Sequence, residues 1–244
     1  MPAYRDVLYI HLDTSHNVFM CHGIEFREFI ESLKEPIHHI LLLKHQFSDS
    51  EYHEKTRLDF VRFENINRLL KDNIYQYGNF CWLDFQNVNT LETLTSKEIS
   101  EILYFCHMGI PLDTPFNQKL QNRFAYYSHD DGWFNRIYCK NTTEFIEILN
   151  HCVTARLAKL IKIKADPLSR KISNELFKLF ETGVLLNFRK MHKHLPVIAI
   201  HTIGKHYDMD DIINHLEKYI DSSVNHLNLQ YNTSSWQLAD SASE

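Results

Sequence analysis

The run RFAYYSHDDGWFNRIYCK, from Arg123 to Lys140, constrains the fold more than any other stretch, because two β-prone segments meet at Asp131-Gly132. Asp-Gly between alternating runs marks a two-residue hairpin, since a type I′ turn needs positive φ at both central residues and Asp and Gly tolerate it. This part of the chain is therefore expected to pair antiparallel, with Asp130 and Trp133 as the last facing pair. The same run sets His129, Asp130 and Asp131 side by side, all residue types that bind metals or move protons. Side chains alternate along a strand, so at most two of the three can face one site. Turn chemistry alone accounts for Asp131 and Gly132.

Upstream, VLYIHL (7–12) and NVFMC (17–21) read as strands joined by the turn-forming DTSH. Ile24, Phe26, Phe29, Ile30 and Leu33 fit one side of a helix closed by Pro36. IHHILLLKHQF reads as a buried strand, RLDFVRF as a short strand leading into a helix, and NFCWLDF as a strand. Thr95 and Glu98 form a capping box, Ile99, Ile102, Leu103 and Cys106 follow on one face, and Gly109 and Pro111 stop the helix. After the hairpin, Asn141 and Glu144 open a helix with Phe145, Ile148, Leu149, Cys152, Val153 and Leu157 inward. Asp166 with Pro167 is expected to open another, with Ile172, Leu176, Leu179 and Phe180 inward. LPVIAIHTI reads as a strand, and Asp208 as the cap of a last helix.

This order predicts an α+β (mixed α/β) fold: a central β-sheet with hairpins, flanked by helices, and a more helical C-terminal part. The expected organisation is an α/β domain over residues 1–164, a helix-rich part over 165–227 packed on the same core or apart from it, and a polar, flexible tail over 228–244.

Only six glycines occur in 244 residues, and no G-x-G-x-x-G, G-x-x-x-x-G-K-[ST] or G-x-S-x-G is present. Common nucleotide folds and serine hydrolases, whose loops need residues without a Cβ, are disfavoured. The five cysteines are odd in number and lack a C-x-x-C pair, which reads as reduced thiols. The longest apolar run, Ile40 to Leu43, is far short of the roughly 20 residues that span a bilayer. The first residues carry no secretory pattern. A cytoplasmic, soluble protein with no transmembrane segment is the expectation.

Three expected strands end in carboxylates: Asp13 in YIHLD, Asp84 in CWLDF and Asp130 in YYSHD. In open sheets with parallel neighbours, ligands collect beyond the carboxyl ends of strands. Together, His11, Asp13, Asp84, His129 and Asp130 would suit a divalent metal or general acid–base chemistry, with Tyr127 and Trp133 as apolar walls. The chain is histidine-rich, with sixteen, and His192, His194, His201 and His206 crowd one stretch, although their spacing matches no zinc pattern.

Between Arg156 and Lys193 ten Lys or Arg stand against three Asp or Glu, an excess of +7, so the remainder carries −12 of the net −5. Such a segment can meet nucleic acid, an anionic lipid surface or an acidic partner, but a pI near 6.3 and the absence of a nucleic-acid-binding motif favour solvated helix faces that complement the acidic half of the same molecule. The partner expected for the chain is a protein or small molecule of unknown identity. Three functions follow in order: a binding or regulatory protein without a common catalytic signature, a metal-dependent hydrolase-like enzyme using the strand-end cluster, and a nucleic-acid-associated protein using residues 156–193.

Overall fold

The computed structural model of the protein describes residues 6–43, 47–72, 78–129, 134–162, 164–189, 191, 196–206, 209–232 and 235–240. In chain order the elements are β1 (Val7–Asp13), β2 (Val18–His22), α1 (Phe26–Ser32), β3 (His39–Leu43), β4 (Glu51–His53), β5 (Leu58–Arg62) and α2 (Phe63–Leu69). Then come β6 (Phe80–Phe85), α3 (Thr90–Thr93), α4 (Ser96–Met108), β7 (Phe124–His129), β8 (Phe134–Cys139), α5 (Thr143–Ile161) and α6 (Arg170–Phe180). The chain continues through β9 (Val184–Asn187), β10 (Val197–Thr202), α7 (Met209–Asn214), α8 (Leu216–Asp221), β11 (Val224–Asn232) and β12 (Ser235–Asp240). Two compact units share it: Met1–Thr14, Phe19–Ile24 and Thr143–Glu244 form the first, Ser15–Val18 and Glu25–Thr142 the second.

In the first unit the strands follow one another as β12-β11-β10-β9-β1-β2. β1 pairs antiparallel with β9, from Val7 opposite Asn187 to Ile10 opposite Val184, and β9–β10, β10–β11 and β11–β12 are antiparallel as well. The continuous apolar run of β1 is needed because Val7, Leu8, Tyr9 and Ile10 are all buried. Helix α5 supplies Phe145, whose ring stacks on Phe19 at 3.6 Å between centroids, and Phe180 of α6 meets Phe145 edge-on. Fully burying such side chains stabilises the fold by about 1.5–3 kcal/mol each. Gly183 permits a close crossing, since a Cβ there would lie 1.9 Å from the Gly204 carbonyl oxygen. Buried Arg156 donates to the Gly23 carbonyl and covers the Phe188 ring.

In the second unit the order is β8-β7-β6-β3-β5-β4, again with antiparallel pairings. β7 and β8 pair antiparallel up to His129 opposite Phe134, and the expected Asp131-Gly132 turn lies in residues 130–133, outside the described residues. Strand alternation sorts β6 and β7 between two apolar layers. Leu83, Ala125 and Tyr127 join Ile102, Phe105 and Cys106 of α4, whereas Trp82, Phe124 and Tyr126 meet Phe26 and Phe29 of α1. The capping box of α4 forms as expected, Thr95 Oγ1 accepting from the Glu98 N–H and the Glu98 carboxylate from the Thr95 N–H. Gly109 ends the helix at φ +70°, and a Cβ on it would come within 2.7 Å of the Tyr127 ring.

These observations correct the expected fold class. Among the described residues the architecture is dominated by twelve strands with antiparallel pairing, not by a mixed α/β sheet set within helices. The helices between β6 and β7 are an excursion between antiparallel neighbours, not a crossover to a parallel one. Nor is the C-terminal part mainly helical, for β9, β10, β11 and β12 all follow Gly183. β9 is only four residues long, and in β11 and β12 the alternation of a half-buried strand is present but lies within a Ser-, Asn- and Asp-rich composition that reads as a tail.

The start of α6 differs too. Ser169, not Asp166, is its N-cap, accepting from the Ile172 N–H at 3.4 Å. Asp166 instead uses its backbone: its N–H donates to the Tyr231 hydroxyl and its carbonyl accepts from Trp236 Nε1. Ser169→Ala should therefore lower stability by about 1 kcal/mol, while Asp166→Ala should leave it nearly unchanged. Urea denaturation of both variants checks this, and the reverse ranking would refute the cap assignment.

Candidate functional site

His11 and Asp13 stand two apart on β1 and so share a side of the strand. His11 is buried, and burial, with Lys205 adding to it, holds its imidazole below the ordinary histidine range against the pull of Asp13. Asp84 and His129 belong to the other unit. There the register Phe80–Ser128 and Leu83–Ala125 sets Asp84 beside Phe124 and His129 past Phe80, at opposite ends of the ladder. At about 3.4 Å per residue they lie roughly 17 Å apart along it. The physical reason is the antiparallel pairing, which sends the carboxyl ends of neighbouring strands to opposite edges. Asp130 and Trp133 lie outside the described residues.

Asp84 is a structural carboxylate. Its Oδ1 accepts the N–H groups of Arg123 at 2.8 Å and Phe124 at 2.9 Å, and its Oδ2 lies 3.5 Å from Arg123 Nε. Burial dominates and raises its pKa to about 6, opposed by those two N–H groups and the guanidinium. Arg123 also donates to the Glu35 carboxylate and to the carbonyls of Glu35 and Pro36, tying the entry of β3 to the start of β7.

Tyr127 is a core residue beneath α4, its ring edge-on to His129 at 4.4 Å. Of the clustered histidines, His201 meets Ser223 Oγ, His206 Nε2 lies 2.8 Å from the Ile203 carbonyl, and His192 and His194 lie outside the described residues. Among the described residues no three His, Cys, Asp or Glu side chains form a group that could hold a metal ion. In the basic segment Arg156 is buried and Arg189 pairs with Glu217 at 3.1 Å, which leaves its positive surface smaller than its sequence suggests.

A concave site does form between α4 and the chain that follows it. Leu83 of β6 and Ile102 and Phe105 of α4 line one side, and Leu112, Pro115 and Phe116 the other, around a cavity of about 110 Å³. Asn117 and Asn122 shape the second wall. Asn117 Oδ1 accepts the N–H groups of Lys119 and Leu120, and Asn122 accepts from the Asn117 N–H while donating to the carbonyls of Pro115 and Phe124. The rim carries Glu98, Glu101 and Asp113. Lys119 bonds Glu98 at 2.6 Å, and that contact, with those from Thr95, lowers the Glu98 pKa to about 2. Glu98 thus stays ionised near neutrality and cannot supply a proton there. Leu112 is 64% exposed at the mouth, and Met108, 50% exposed, continues the stripe of Glu101 and Phe105 along α4.

The sequence reading missed this site. Its one available signal is IPLDTPF, in which Ile110, Leu112 and Phe116 are apolar residues set among prolines just past a helix stop. Comparison with protein-family models, curated proteins and solved structures finds no match for the chain.

The Asp84 contacts make a pH prediction. Its folded pKa of about 6 lies above the ordinary unfolded value near 3.9, so the folded chain binds this proton more tightly. Its contribution is then fully present below about pH 4 and declines by up to about 3 kcal/mol as pH rises through 6. Asp84→Asn keeps an acceptor for both N–H groups and removes the titration. The stability of the variant relative to wild type should rise between pH 4 and pH 7, and a pH-independent difference would contradict the assignment.

Proposed function

We propose that this chain is a non-catalytic cytosolic binding protein whose α4 cavity receives one apolar side chain of a protein partner, with a cationic group of that partner at the rim. Cavity size is the observation that carries the reading. About 110 Å³ is well below the roughly 300–1,000 Å³ of pockets that enclose small-molecule substrates or cofactors. It is of the order that holds a branched aliphatic group or a small ring. Exposed Met108 and Leu112 offer apolar contact around it, and methionine adapts to irregular partners.

Charge supplies the second half. Among the described residues the carboxylates of Glu98, Glu101 and Asp113 meet two ammonium groups, that of Lys119 bonded to Glu98 and that of Lys97 3.7 Å from Glu101, an excess of one negative charge. Such a rim favours an ammonium or guanidinium beside the apolar anchor. In support of a reducing compartment, all five cysteines are buried free thiols. No helix among the described residues is long and apolar enough to cross a membrane.

Isoamylamine, a branched alkyl group bearing an ammonium, is a direct probe, and isovalerate reverses its charge. Titration followed by amide NMR should give saturable shifts at Ile102, Phe105, Leu112 and Phe116 with the amine, and weaker ones with the acid. Ile102→Trp, which fills the cavity, should abolish them. Shifts elsewhere only, or equal shifts in the filled variant, would refute the assignment.

A further inference from the structure

Each unit ends in an edge strand, and the two edges are built differently. β4 is three residues long and hemmed by charge: Glu51 binds Arg62 at 2.6 Å, His53 lies 3.1 Å from Glu92, and Lys55 donates to the Glu92 carbonyl. A short, charged, covered strand is a poor template for another chain. β12 is twice as long as β4, and among the described residues no ion pair borders it. Among the described residues it has β11 on one side only, and its sequence SWQLAD holds no Lys, Arg or Pro and has its single charge at the end. Its six pairs with β11 run without a shift, so no bulge turns the edge away.

From this edge we infer that β12 pairs antiparallel with β12 of a second copy, about a two-fold axis through Gln237. Such an axis, perpendicular to the sheet, places residues of like face opposite each other, and the sequence selects which residue it crosses. Centred on Gln237, it sets Trp236 against Leu238 of the second copy and Ser235 against Ala239, with the two Gln237 amides facing. Each amide has a donor and an acceptor for the other. Centred on Leu238, it would set Asp240 against Trp236, and centred on Trp236 it would shorten the ladder.

In the Gln237 register the two Asp240 carboxylates lie about 20 Å apart, beyond the Debye length at physiological salt. The strand is held ready for this pairing. Trp236 is buried, packs on Tyr231 and donates to the Asp166 carbonyl, while Ser235 and Gln237 are exposed. The occupant is thus a second copy of this chain, joined through main-chain bonds along the β12 edge.

Sedimentation over a concentration series should show a monomer–dimer equilibrium for the wild-type chain. Gln237→Lys opposes two ammonium groups at the axis and should raise the dimer dissociation constant about tenfold or more, with the dilute melting temperature unchanged. Oxidation of Gln237→Cys should give a disulfide-linked dimer, whereas Ser235→Cys, opposite Ala239, should cross-link far less. The five native cysteines are buried and do not compete. A wild-type chain monomeric at all concentrations, a Gln237→Lys dimer of undiminished affinity, or equal cross-linking by the two cysteine variants would each overturn the proposal.

Discussion

The buried carboxylate of Asp84 is the contact on which the second unit's site depends. It sits at the end of β6, next to Leu83 of the cavity wall, and accepts the first N–H groups of the returning chain at Arg123 and Phe124. Between those two anchor points lie α3, α4 and residues 109–122, and hence every residue of the cavity lining except Leu83. Asn122 extends the clamp, holding the Pro115 carbonyl and the Asn117 N–H. Removing the carboxylate would leave buried N–H groups unpaired, at roughly 1–3 kcal/mol each, and would free the second wall from the first.

Antiparallel pairing then decides where chemistry can gather. In a parallel sheet Asp84 and His129 would project from one edge, but here β6 and β7 run in opposite directions and hold them at opposite ends of the ladder. The α4 concavity is formed by a helix flank and a loop, and it is small, with Leu83, Ile102, Phe105 and Phe116 beside the carboxylates of Glu98, Glu101 and Asp113. Glu98 is held ionised by Lys119 and serves as a fixed charge rather than a proton carrier. Those properties suit recognition of a side chain better than turnover of a substrate.

Features written in contiguous residues were legible in the sequence. The Thr95–Glu98 box, the Gly109 stop and the buried stripe of α5 depend on neighbours within one or two turns, and all three form. The junction at Phe63, where β5 gives way to α2, was readable because the hydrophobic period changes there. Features that depend on distant partners were not. Asp84 looked like a strand-end ligand because its partners lie 39 and 40 residues away. β9 and β12 are strands by virtue of the neighbours that pair with them, and their own residues signal this weakly. Pro167 suggested the start of α6 by a general preference, which a local Ser169 bond overrode.

Amide hydrogen exchange at Arg123 and Phe124 tests the clamp most directly. If the Asp84 carboxylate holds both N–H groups within the folded core, they exchange only through global unfolding and match the protection of Trp82 and Tyr126 in β6 and β7. Exchange of these two amides at the rate of an exposed loop, with Trp82 and Tyr126 still protected, would contradict the account.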